Sequence, residues 1–244
     1  MVEAFLVGAL AAATLVVGGL IVFIRKPAER TLGLVMAFGA GVLVSAVAFE
    51  LVEEATETPG SAGAAFVGLF AGAITFTLGD AALARYGVRH RKDIGGAPLE
   101  ASGLAIVLGA VLDGVPESAV LGLTLLQTGN VSLSMFVAVL VSNLPEAIAA
   151  SSSLESSGWS RRGITVLWTA VAVVAGLSSA AGFVLLDGAT PQTLSFVLTF
   201  AGGAILTMLA TTMMPEAFDH VGRPAGLATV LGFAVAYGID LIGR

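Results

Sequence analysis

Apolar residues run along this chain in long blocks, not in alternation. Eight blocks stand out: Ala4 to Ile24, Thr31 to Glu54, Ala62 to Ala84, Leu99 to Leu126, Val131 to Leu154, Ile164 to Leu186, Leu194 to Met214 and Ala225 to Ile242. A bilayer core about 30 Å thick takes roughly 20 helical residues to cross. Strands of a membrane barrel would switch between apolar and polar at every second position, and none of the eight blocks does. A helix satisfies its own backbone groups in lipid, so the pattern predicts an all-α integral membrane bundle of eight transmembrane helices. The links between blocks are too short for a second soluble domain, and residues 1–244 read as a single transmembrane domain.

Composition agrees with that reading. The chain is 57% hydrophobic and 11% charged, where a soluble domain carries roughly 25% charged residues. Its acidic residues lie mostly inside or beside apolar blocks, so they do not form a solvated acidic face. No basic stripe points to a nucleic acid partner. The absence of cysteine excludes disulfides and thiolate metal sites. The first block has Glu3 ahead of it and Arg25 and Lys26 behind it. A signal peptide has the opposite charge order, so the block reads as a spanning helix.

Basic residues set the expected orientation. Arg25, Lys26 and Arg30 lie between spans one and two, and Arg85, Arg89, Arg91 and Lys92 flank the link between three and four. Arg161 and Arg162 lie between five and six, and Arg223 between seven and eight. The eleventh basic residue is the C-terminal Arg244, and the links after spans two, four and six carry none. The positive-inside rule then puts the odd-to-even links in the cytoplasm and both termini outside.

Two segment pairs resemble each other. Phe38 to Leu43, running on to Glu53, matches Ala201 to Leu206, running on to Glu216, at an offset of 163 residues; Gly39 meets Gly202 and Glu53 meets Glu216. Asp113-Gly114-Val115-Pro116-Glu117-Ser118 matches Ser142-Asn143-Leu144-Pro145-Glu146-Ala147 at an offset of 29. In the expected topology both pairs run antiparallel, giving inverted repeats in a 3+2+3 order, a feature of many transporters.

Asp113, Glu117 and Glu146 fall near the middle of their spans. A carboxylate there costs on the order of 2.5–3.5 kcal/mol even on the lenient insertion scale. Asp113 and Glu117 are four residues apart and share a helix face, as do Ser142 and Glu146, with Asn143 beside them. Two such faces turned toward each other would gather oxygen ligands. Pro116 and Pro145 each free a carbonyl one turn back, at Leu112 and Val141. Freed carbonyls at this depth must face protein or a water-filled cavity, which suits a cation site. The alternative is a protonated cluster that only holds helices together.

Glu50, Glu53 and Glu54 form an i, i+3, i+4 set near the outer end of span two. Glu216, with Asp219 and His220, lies near the inner end of span seven. Glu50 and Glu53 read as an entrance for cations, and Glu216 and His220 as an exit. Glu54, Glu57 and Asp219 read as ordinary interfacial charge, and Asp80 and Asp240 as snorkelling or capping groups at span ends. His90 belongs to the basic loop. The glycine runs fit close helix approach.

At Pro116-Glu117 and Pro145-Glu146 the chain resembles the ZIP (Zrt/Irt-like) family of divalent metal transporters. Met214-Pro215-Glu216 resembles the end of that family's seventh helix. The resemblance implies eight helices with both termini outside and a midplane metal site on helices four and five. Carried over position by position, it makes Asp113, Glu117, Asn143 and Glu146 metal ligands, with Ser142 at the opening of the fifth-helix motif. The chain departs from the family where His-Asn usually opens the fourth-helix motif. Here those positions are Asp113 and Gly114, and the motif's final Gly is Ser118. Gly114 supplies no side chain for a second metal, and the sixth span has no carboxylate. Zn, Fe or Mn is the implied substrate. The all-oxygen ligand set pulls toward harder ions such as Mn and Mg, while the resemblance pulls toward Zn or Fe; Cd also stays open.

The expected function is transport of a divalent cation, not catalysis. A proton-coupled carrier of a small organic solute is the alternative, using the same carboxylates as a relay. An intramembrane aspartyl protease is poorly supported, because Leu78-Gly79-Asp80 and Tyr237-Gly238-Ile239-Asp240 match its motif only faintly and lie near span ends. The expected setting is a cell's plasma or inner membrane. The expected partners are metal ions and lipid, and a homodimer is compatible with the sequence.

Overall fold

A computed structural model describes residues 1–57, 59–85 and 103–243. Among the described residues, eight helices are long and apolar enough to cross a membrane. They are α1 (Val2–Ile24), α2 (Glu29–Glu57), α3 (Ala62–Arg85) and α4 (Gly103–Thr128). Next come α5 (Leu133–Ser156), α6 (Arg161–Leu185), α7 (Pro191–Val221) and α8 (Pro224–Gly243). The chain is a multi-pass membrane protein. The expected start of span four at Leu99 lies outside the described residues, as do Arg89, His90, Arg91, Lys92 and Arg244.

Helix ends follow local chemistry. Ser132, Ser160 and Thr190 cap α5, α6 and α7, each accepting a backbone N–H from the first turn. Pro191 and Pro224 open α7 and α8, where a missing N–H costs nothing. Gly158, between α5 and α6, has φ of 86°, which favours glycine.

The helices pack in two sets. One holds α1, α4, α5 and α6, with α1 against α6 and α5, and α4 against α6. The other holds α2, α3, α7 and α8, with α2 against α8 and α3 against α7. The sets join where α2 meets α5 and where α4 meets α7. Glycine lets backbones touch at these seams. A Cβ on Gly41 would lie 1.9 Å from the Thr229 carbonyl oxygen of α8, and one on Gly203 would lie 1.9 Å from the Leu69 oxygen of α3. Gly232 sits likewise on the Phe38 carbonyl and Gly72 on the Phe200 carbonyl.

Two spans are not uniformly α-helical. Val47–Glu53 in α2 and Leu209–Met213 in α7 are π-helical. Such turns make i→i+5 hydrogen bonds and widen the helix locally. Nothing in the apolar pattern distinguishes them, because both segments carry ordinary helix-forming residues.

A large apolar cluster runs through the centre and includes Leu43, Val47, Leu121, Met135, Val139 and Ile205. A second, around Leu15, Ala147, Ile164 and Trp168, fills the set of α1, α4, α5 and α6. Inside it the Trp168 indole N–H donates to Ser151 Oγ at 2.7 Å. At one end of the bundle Lys26 lies 3.5 Å from Glu155 and Arg161 lies 3.8 Å from it. The α1–α2 and α5–α6 links therefore share an end, as the distribution of basic residues requires.

Candidate functional site

The mid-span polar residues of α4 and α5 are buried. Asp113 is 5% exposed, Glu117 2%, Asn143 5%, Ser142 2% and Glu146 8%. Burying such groups in a bundle that faces lipid is costly unless they are used or paired. The burial is therefore the main chemical fact about this protein.

Among the described residues, no group of three or more His, Asp or Glu side chains stands close enough to hold a metal ion. The packing gives the reason. α4 is seated on α6 and α5 on α1, and α4 and α5 meet each other over only a short stretch. Asn143 lines a narrow cleft with Gly114 and Ser118 of α4, walled by α1 and α6. Ser142 faces the other set: its Cα would lie 3.4 Å from a Cβ on Gly39 of α2, where the Met213 methyl of α7 also sits. Adjacent residues of α5 thus look toward the two different sets.

Above this region lies an acidic vestibule of about 630 Å³. Glu50, Glu54 and Glu57 of α2 line it, with Asp240 of α8, Thr124 of α4 and Ser132 at the start of α5. Ser132 Oγ donates to the Glu50 carboxylate and accepts the Met135 N–H at 3.1 Å. One hydroxyl therefore caps α5 and holds Glu50. Phe49, the next residue back, packs on Tyr237 of α8 with ring centroids 4.8 Å apart.

The membership of the vestibule differs from the sequence expectation. Glu53 does not line it, whereas Glu54, Glu57 and Asp240 do. The π-helical turn explains the first difference. With hydrogen bonds spanning five residues, position i+3 swings off the face that an α-helix would give it. Glu50, Glu54 and Glu57 are spaced i, i+4, i+7, and that spacing was the available signal. Asp240 carried none, since its place depends on α8 lying against α2.

Between the vestibule and the buried carboxylates is an apolar layer. Leu121 lies one turn inward of Thr124, Val47 and Leu43 lie inward of Glu50, and Met135 and Val139 lie inward of Ser132. All five are buried in one cluster. On the far side Glu216 and His220 are half-buried. His220 packs over Gly33 at the start of α2, its Cβ standing 2.8 Å from where a Cβ of Gly33 would be.

Comparison with known proteins now bears on this arrangement. No family model matches the chain. A protein of Arabidopsis thaliana described as a "putative zinc transporter" is 30% identical over 207 residues, covering 84% of this chain and 32% of that protein. The chain is a distant homologue of that protein. The relationship is consistent with the ZIP resemblance, and the relative is by its name a zinc transporter. The chain spans about a third of the relative's length.

Proposed function

We propose that this protein is a ZIP-type transporter that carries divalent metal cations through a site on α4 and α5. The observation that carries the reading is the burial of Asp113, Glu117 and Glu146 inside membrane-length helices. Asn143 and Ser142 supply neutral oxygen donors, and the carbonyls freed by Pro116 and Pro145 supply more. Oxygen ligands suit Mn and Mg as well as Zn.

A cation enters by the vestibule, where Glu50, Glu54, Glu57 and Asp240 concentrate positive charge. It then reaches Glu117 and Glu146 once the apolar layer opens, and leaves past Glu216 and His220. Ligation requires deprotonated carboxylates, so protons compete with the metal. Reciprocal packing within the set of α2, α3, α7 and α8 supports an inverted repeat. Phe38 and Phe200, and Gly41 and Gly203, make equivalent contacts 162 residues apart, one residue off the sequence register that pairs Gly39 with Gly202. Gly39 meets Met213 of α7 while Gly202 meets Val47 and Leu51 of α2. The odd-to-even links lie in the cytoplasm on this reading, with the vestibule outside.

Equilibrium binding to the purified protein tests the site. Zinc or manganese should bind the wild type and not Glu117→Ala or Glu146→Ala, with all three proteins equally monodisperse. Equal binding by the wild type and both variants would remove these carboxylates from the site.

A further inference from the structure

Proline inside α4 leaves the helix locally underdetermined. Pro116 has no N–H to give the Leu112 carbonyl, and its ring crowds the preceding turn. The direction in which the two halves of α4 continue must be set by neighbours. Asp113 lies on one side of Pro116 and Glu117 on the other.

The two halves are supported differently. After the proline, α4 sits directly on α6. A Cβ on Gly122 would lie 1.8 Å from the Ser179 carbonyl oxygen, and one on Gly182 of α6 would lie 2.4 Å from the Ala119 oxygen. Before the proline, a Cβ on Gly114 would meet nothing within 4 Å. At the boundary, Ser178 Oγ of α6 donates to the Val115 carbonyl at 2.9 Å. Val115 immediately precedes Pro116.

That bond is not the default for a hydroxyl in a helix. Thr169 on the same helix donates to its own backbone, to the Thr165 carbonyl at 2.8 Å, and Thr207 of α7 donates to Gly203 at 2.8 Å. Such local bonds satisfy the group without a neighbour. Ser178 instead crosses to another helix, at the peptide immediately before Pro116.

We propose that Ser178 is a positioning residue for the metal site: its hydrogen bond to the Val115 carbonyl fixes the bend at Pro116 and so sets Asp113 relative to Glu117. The inference rests on the reading of these two carboxylates as ligands. Removing the hydroxyl leaves α4 seated on α6 through Gly122 and Gly182, so the fold persists. What changes is how much reorganisation the carboxylates need to reach one cation, and hence affinity.

The test measures zinc and manganese uptake into proteoliposomes, with thermal midpoints, for the wild type, Ser178→Ala, Ser178→Thr, Ser179→Ala and Glu117→Ala. Ser179→Ala deletes a buried hydroxyl, in the same turn, that has no hydrogen-bond partner among the described residues. Ser178→Ala should raise the half-saturating metal concentration about three- to tenfold, the range expected for one interhelical hydrogen bond. Its maximal rate should stay within about twofold of wild type, with the thermal midpoint lowered by no more than about 4 °C. Ser178→Thr should restore the affinity, and Ser179→Ala should match the wild type.

The proposal is overturned if Ser178→Ala has wild-type affinity, if Ser178→Thr is no better than Ser178→Ala, or if the loss tracks folded yield at constant half-saturation. Those results leave uptake by the wild type and its loss in Glu117→Ala intact. No uptake by the wild type, or full uptake by Glu117→Ala, would overturn the transport reading and the inference with it.

Discussion

At the scale of single residues, Glu117 and Glu146 are buried inside membrane-length helices, at 2% and 8% exposure. Replacing either with glutamine keeps the shape and removes the charge. Glu117→Gln and Glu146→Gln should weaken metal binding by at least about 100-fold, beyond the loss usual for outer-shell partners of a metal. Titration of the purified variants checks this. Ser132 acts at the mouth. Ser132→Ala removes both the α5 cap and the hydroxyl that holds Glu50. It should cost about 1 kcal/mol of stability and slow uptake at low metal while leaving the saturated rate near wild type; a reduced saturated rate with unchanged half-saturation would contradict the role in entry. The buried carboxylates were legible in the sequence because charge in an apolar block is costly wherever it lies. Asp240 was not, because a charge near a span end is cheap and only the packing of α8 on α2 turns it into the vestibule.

At the scale of elements, the described helices begin and end within about four residues of the apolar blocks, except that α7 runs seven residues past Met214 to Val221. Hydropathy and capping chemistry act locally, so both can be read along the chain. The π-helical turns escaped notice, since a single extra residue in a helix leaves no mark on an apolar run. Their effect falls on Glu53, which an α-helical count would put beside Glu50. Glycine seams were legible as composition, but their partners were not. At Gly41 and Gly72 a Cβ would lie 1.9 Å and 1.8 Å from carbonyl oxygens of α8 and α7, so no rotamer relieves the contact. Gly41→Val or Gly72→Val should destabilise the protein by at least about 1–3 kcal/mol, the cost of overpacking, and lower the temperature of detergent inactivation. Gly114→Ala, which meets open space, should not.

At the scale of the whole molecule, the account requires an inverted relation between α1–α3 and α6–α8 and a cation that draws α4 and α5 into one site. The chain has no cysteine, so single cysteines report orientation directly. Cysteines at Gly129 or Gly188 should react with an impermeant thiol reagent from outside intact cells, and cysteines at Lys26 or Gly158 should not. The reverse pattern would invert the topology. Metal should also stabilise the folded protein by about 2.7 kcal/mol at a hundred times its dissociation constant. That gain should be absent in Glu117→Gln.

The central claim is that this bundle moves divalent cations through α4 and α5. The most direct measurement is uptake by proteoliposomes across Mn, Fe, Zn, Co, Cd and Mg, comparing the wild type with Glu117→Ala. The account predicts saturable uptake of at least one of these metals by the wild type and none above empty vesicles by the variant. Absence of uptake of every metal by intact, correctly oriented wild-type protein would contradict it, and would favour a carrier that uses the same carboxylates to move protons with an organic solute.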